Sequence, residues 1–144
     1  MRVIVQRASN AKCIIDNKIY SEIDFGFVLL VGFTHIDSIQ NIQKMVKKIS
    51  NLRIFEDENG KMNLNIKQVG GKILSISQFT LYANPNEGNR PSFVDAMGGE
   101  QSSKLYDEFN KLLGAELEVK TGIFGADMNI EFTNNGPCTI LLEF

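Results

Sequence analysis

The sequence predicts an α/β (α+β) fold: a barrel-like, largely antiparallel or mixed β-sheet assembly with two main helices on the outside. Three observations lead there. Short β-branched runs, about seven or eight of them, fill most of the chain and are parted mostly by brief turns. Only two intervals carry apolar residues at helical spacing over a length that suits a crossover. Parallel neighbours need such crossovers, so a chain with two of them favours an antiparallel or mixed sheet over a doubly wound one. The 144 residues hold no internal repeat, low-complexity tract or Pro/Ser-rich linker. Residues 1–144 are therefore expected to form one domain.

Residues 2–7 (RVIVQR) open as a β-branched strand. Segments 12–15 and 18–23 flank Asp16-Asn17, residues that tolerate left-handed backbone, which predicts a hairpin. Residues 27–33 (FVLLVGF) are apolar on both faces and fit a strand covered on two sides. Asp37 or Ser38 caps the first helix. Its stripe is Ile39, Ile42, Val46 and Ile49, with Gln43, Lys44, Lys47 and Lys48 toward water. A strand is expected at 53–55, then turns at Asn59-Gly60 and Gly70-Gly71. Residues 72–81 (KILSISQFTL) read as a strand, and 84–91 (NPNEGNRP) as a loop. The second helix spans about 100–113, with Leu105, Phe109 and Leu112 inward and Gly114 as its stop. Closing strands are expected at 116–121, 127–133 and 139–144.

Composition bounds the chemistry. With 43% hydrophobic and 22% charged residues, the chain has an ordinary globular balance. No apolar run approaches the ~18–20 residues of a membrane span, and no signal-peptide pattern opens the chain, so a cytoplasmic, membrane-free protein is expected. Cys13 and Cys138 form no CxxC pair and read as small buried fillers. The single histidine, His35, excludes His-rich zinc patterns, and neither a metal site nor a cofactor is expected. No GxGxxG, GxxxxGK[ST] or GxSxG is present. A net charge of −2 argues against coating long nucleic acid, while leaving room for a short end where few phosphates are touched. Lys44, Lys47, Lys48 and Arg53 read better as a solvated face than as a phosphate patch.

Two segments stand out. Ser77-Gln78-Phe79-Thr80 places polar groups in an apolar strand just before a long loop, so they suit the lining of a pocket at a strand end. The plain alternative is that the hydroxyls satisfy nearby backbone while Phe79 fills the core. Asn134-Asn135-Gly136-Pro137 reads first as a type I′ hairpin turn, a reading that Pro137 complicates because it donates nothing to a ladder. Both isomers of the Gly136–Pro137 peptide stay open at this point.

Together, MRVIVQRA at the start, SQFTLYA at 77–83, FGADMNIEFTN at 124–134 and NNGPCT at 134–139 resemble the D-aminoacyl-tRNA deacylase family. The resemblance spans nearly the whole chain, and the pairing of SQFT with NxGPxT is its specific part. Cys138 departs from it, standing where the family usually has valine. The resemblance implies a homodimer with active sites at the interface, acting on the aminoacylated 3′ end of tRNA. It would hydrolyse the ester of a D-amino acid, or of glycine mischarged on tRNA(Ala), and reject L-esters, with the RNA assisting catalysis. Ser77, Gln78, Phe79 and Thr80 are then catalytic, with backbone N–H groups near Phe79 and Thr80 stabilising the oxyanion. Gly136 and Pro137 form the chiral filter, Arg7 braces it, and Met128 lines the pocket. The rival reading is a non-catalytic module that binds an RNA 3′ end.

Overall fold

A computed structural model describes residues 1–86 and 88–144. Two long strands lead the chain, β1 (Arg2–Ile15) and β2 (Lys18–Gly32), paired antiparallel. Between them Asp16 and Asn17 have φ of 50° and 60°, as the hairpin reading requires. The four short strands expected over this stretch are thus two long ones, because each apparent break is a change of face. Val3 and Val5 lie on one side of the sheet, and Ala8 on the other, as alternation demands. Ala11 and Cys13 then share the side of Ala8, so alternation slips once, where Asn10 has φ 52°. On β2 the matching slip falls between Val28 and Ile23, at Gly26, with φ 141°.

Helix α1 (Ile39–Asn51) starts at Ser38, whose backbone N–H donates to Asn41 Oδ1 at 3.0 Å. It buries Ile42, Met45, Val46 and Ile49 and leaves Gln43, Lys44, Lys47 and Lys48 exposed. Ile39, expected in the stripe, is exposed; Met45 completes the inner face in its place. A small hairpin follows, β3 (Phe55–Glu56) with β4 (Met62–Leu64), the latter too short to show a pattern in sequence. Arg53 Nε donates to the Asn63 carbonyl at 2.7 Å, which ties it to that hairpin.

Strand β5 (Lys72–Ser77) runs parallel to β2 and to β6 (Val119–Thr121). The strand expected over 72–81 stops at Ser77. Gln78 N–H makes a last bond to the Val31 carbonyl at 2.7 Å, and the chain then coils into a 3-10 turn, Phe79–Tyr82. Helix α2 (Gly99–Gly114) buries Ser102, Tyr106, Phe109 and Leu113, whereas Leu105 and Leu112 are only half-buried. The last two expected strands are one, β7 (Asn129–Glu143), antiparallel to β1.

The five-stranded mixed sheet has the order β6-β5-β2-β1-β7 and does not close, leaving β6 and β7 as edges. Both helices cover one face, where Phe109, Leu113, Ile42 and Ile49 pack on Phe27, Leu29 and Ile73. Each such fully buried side chain contributes about 1.5–3 kcal/mol. On the other face Val28, Leu74 and Ile76 meet Ala8, Ala11 and Cys13 of the curled β1 end and Met128, Ile130 and Phe132. That explains why β2 and β5 read as apolar on both sides.

Gly26 pairs with Lys72 at the start of the β2–β5 ladder. A Cβ built there would lie 1.8 Å from the Lys72 carbonyl oxygen, and its φ lies outside the range side-chain-bearing residues favour. Gly26→Ala is expected to lower stability by about 3 kcal/mol or more, read as a reduced urea midpoint, since overpacking and strain act together.

Candidate active site

A cleft of about 330 Å³ opens where β5 ends. Its floor and walls include Ser77, Gln78 and Phe79 from the end of β5, Phe33 from the end of β2, Met97 and Ser102 from the start of α2, and Phe124, Asp127 and Met128 from the approach to β7. Ser75 anchors this corner of the fold. Its carbonyl accepts the Tyr106 hydroxyl at 2.8 Å and the Gly122 N–H at 3.1 Å, joining α2 and the β6–β7 connection to the last turn of β5. Burial of the Tyr106 hydroxyl pushes its pKa up, so it serves as a neutral donor.

Beyond Gln78, the 3-10 turn exposes its first N–H groups. Those of Phe79 and Thr80 have no acceptor among the described residues, as expected at the start of a helical turn. Gln78 Nε2 donates to Thr80 Oγ1, so these two side chains hold each other. Phe79 is 57% exposed beside the cleft, its ring in an edge contact with that of Phe93 at 5.2 Å between centroids. Ser77 makes no hydrogen bond to an imidazole or carboxylate among the described residues, and His35 lies elsewhere with Nε2 2.7 Å from the Val94 carbonyl. The arrangement suits binding and charge stabilisation, not nucleophilic attack from a side chain.

Arg7, Gly136 and Pro137 form a second, separate feature. Along β7, Asn134 pairs with Ala8 and Thr139 with Gln6, so four residues, 135–138, bulge out opposite Arg7 alone. The segment is therefore a corner within one strand and not a type I′ hairpin turn, because the chain continues in the same direction. The Gly136–Pro137 peptide is cis, and both residues are exposed. Arg7, only 8% exposed, lies beneath: Nε donates to the Asn135 carbonyl at 3.2 Å and Nη1 to the Ile54 carbonyl at 3.0 Å. Cys138 is buried at the foot of the corner, and Cys13 is buried with its thiol pKa pushed up by desolvation.

The structure thus gathers Ser77, Gln78, Phe79 and Met128 around the cleft, with Thr80 beside them, and holds Arg7, Gly136 and Pro137 apart. Ile130 also borders the cleft, and Gly136 lies six positions further along β7, a reach of roughly 15–20 Å. Sequence reasoning missed Phe33, Met97, Ser102 and Asp127 as lining residues. Only Asp127 carried a signal, through its place in FGADM; the others arrive from distant elements.

The comparisons with known proteins agree over the full length. A family profile described as D-Tyr-tRNA(Tyr) deacylase matches residues 4–143. The D-aminoacyl-tRNA deacylase of Lactobacillus gasseri is 50% identical over 144 residues, 99% of each chain. That of Staphylococcus haemolyticus is 52% identical over 99% of this chain and 95% of its own. Among solved structures, the c-Myc DNA Unwinding Element Binding Protein superposes with a TM-score of 0.95 at 37% identity, covering 100% of this chain and 99% of that one. A probable eukaryotic D-amino acid tRNA deacylase matches with a TM-score of 0.83 at 16% identity over 98% and 97%, a likeness of fold. Matched by that profile from β1 to β7, and half identical to bacterial relatives, this chain belongs to the D-Tyr-tRNA(Tyr) deacylase family.

Proposed function

We propose that the chain is a cytoplasmic editing hydrolase that cleaves the ester between a D-amino acid and the terminal adenosine of tRNA, works as a homodimer, and spares L-esters. The curated relatives at half identity are D-aminoacyl-tRNA deacylases, and family membership makes aminoacyl-tRNA the substrate class. The observation that carries the reading is a cleft edged by unpaired backbone N–H donors, where the Ser77 hydroxyl makes no hydrogen bond to a base among the described residues.

An aminoacyl ester is activated enough to need little acid–base power from protein. In the proposed reaction, water adds to the ester carbonyl carbon, and the 2′-hydroxyl of the terminal ribose helps activate it. The N–H groups of Phe79 and Thr80 stabilise the oxyanion as the bond to the 3′-oxygen breaks and that oxygen leaves with a proton. Gln78 fixes Thr80, and Met128 shapes the pocket wall. Only the single-stranded end is gripped, which suits a net charge of −2.

Chiral selection falls to Gly136 and Pro137. Their carbonyls hold the substrate's α-ammonium and leave no room for an L side chain, so discrimination rests on the α-carbon and many D-residues are accepted. Glycine, lacking a side chain, passes the same filter when it is mischarged on tRNA(Ala). Within one chain the corner lies roughly 15–20 Å of strand away from the cleft, which supports a site completed by the corner of a second copy. A second reading, a non-catalytic module for a nucleic-acid end, is favoured by the DNA-binding name of the relative at 37% identity.

Incubation with D-Tyr-tRNA and L-Tyr-tRNA separates these. Release of D-tyrosine alone is expected; equal turnover of both, or binding with no release, overturns the editing hydrolase. Gly136→Ala is expected to lower D-ester turnover at least about a hundredfold while the oligomeric state by gel filtration stays unchanged. The added Cβ would meet Arg7 Nη2 at 2.7 Å at a φ of +117°, displacing brace and corner together. Thr80→Ala should keep turnover within about tenfold of the parent chain, since a backbone N–H does the stabilising; a folded but inactive variant would return the role to the side chain.

A further inference from the structure

Arg7 and Asn135 hold the 135–138 corner down onto β1, but neither joins its two feet to each other. That connection is made by one side chain. Asn134 Oδ1 accepts the backbone N–H of Cys138 at 3.1 Å, and Asn134 Nδ2 donates to Thr139 Oγ1 at 3.0 Å. The first bond identifies the amide oxygen, because only an acceptor can face an N–H; the nitrogen then faces Thr139. Gln6 Nε2 donates to the same Thr139 oxygen at 3.2 Å, tying the closed loop to β1. Ser9 Oγ donates to Asn135 Oδ1 at 3.2 Å one residue further on. Thr139 Oγ1 therefore accepts two N–H groups.

We infer that Asn134 is a positioning residue for chiral selection: its side chain closes a ring across the corner and sets where the Gly136 and Pro137 carbonyls stand. This rests on the proposed role of that corner as the filter. The backbone of Asn134 pairs with Ala8 whatever side chain it carries, and the ladder resumes at Thr139. Loss of the amide loosens the corner and leaves the strand. Exposed on a single chain, Gly136 and Pro137 meet a substrate with this ring, Arg7 and the Ser9–Asn135 bond to keep their carbonyls in place. A small displacement there admits an L side chain and weakens the hold on the α-ammonium, so the effect falls on KM and selectivity before kcat.

The test uses the full chain and reads two quantities in Asn134→Ala and Asn134→Asp: amide hydrogen exchange at Cys138 by NMR, and kcat and KM on D- and L-Tyr-tRNA. In Asn134→Ala, exchange at Cys138 is expected to accelerate at least about tenfold while amides of the β1–β2 ladder keep their rates. KM for the D-ester should rise about tenfold with kcat little changed, and L-ester hydrolysis should become measurable. Asn134→Asp should restore protection and selectivity, because a carboxylate oxygen still accepts from Cys138 and the Thr139 hydroxyl turns to donate to the other. Unchanged exchange in Asn134→Ala overturns the ring. Faster exchange with an unchanged D-to-L ratio overturns the positioning role. If Asn134→Ala does not fold, Thr139→Val, which removes the Asn134 and Gln6 bonds to Oγ1, is judged on KM and the D-to-L ratio, and an unchanged ratio overturns the positioning role. A parent chain that hydrolyses both esters alike overturns the proposed function and the selection role with it, while the exchange result still decides the ring.

Discussion

A parallel ladder, Gly26 to Val31 on β2 against Lys72 to Ser77 on β5, sets most other relations in this molecule. Parallel strands cannot be joined by a tight turn, so this pairing demands the crossover that α1 and the β3–β4 hairpin supply. It demands cover on both faces as well, which the two helices give on one side and the curled end of β1 on the other. Its two ends are equally decisive. At one, glycine alone lets β2 lie against the Lys72 carbonyl. At the other, the last bond from Gln78 to Val31 releases the chain into a 3-10 turn beside a cleft.

The candidate site is therefore a by-product of where a ladder stops. Backbone donors at such a point are held by the whole sheet, so they are preorganised without dedicated side chains, the condition under which electrostatic stabilisation is strongest. The corner in β7 follows the same economy. Four residues opposite Arg7 leave the ladder and are pinned from below by a guanidinium and across their base by an amide. In the proposed function the chemistry at both places falls to main chain, and side chains such as Arg7, Gln78 and Asn134 hold that main chain in place. A protein built this way needs few titrating groups at its site.

The local rules of the sequence were legible and its long-range ones less so. Ser38 as a helix start, the α1 lysines in solvent and the left-handed Asp16-Asn17 turn all follow from neighbours within four residues. The strand count was blurred because alternation slips at Asn10 and Gly26, a change of face that resembles a break when only spacing is visible. The run to Leu81 looked like strand since SQFTL alternates as well as KILSI does. What ends it is the absence of further β2 to pair with beyond Gly32. Asn134-Asn135-Gly136-Pro137 resembled a hairpin for the same reason: whether a bulged corner turns back or runs on depends on β1 lying alongside both halves.

By itself the sequence determined the two amphipathic helices, a largely antiparallel or mixed sheet and, through SQFT and NNGPCT, the family. These depend on periodicity and on short runs of residues that no partner strand can alter. Tertiary structure alone decided that the two motifs stand apart in one chain, that Phe33, Met97 and Ser102 join the cleft, and that Asn134 ties the corner across its base. The physical reason is that strand order and register are set by burial across the whole sheet, and no window of sequence contains that information.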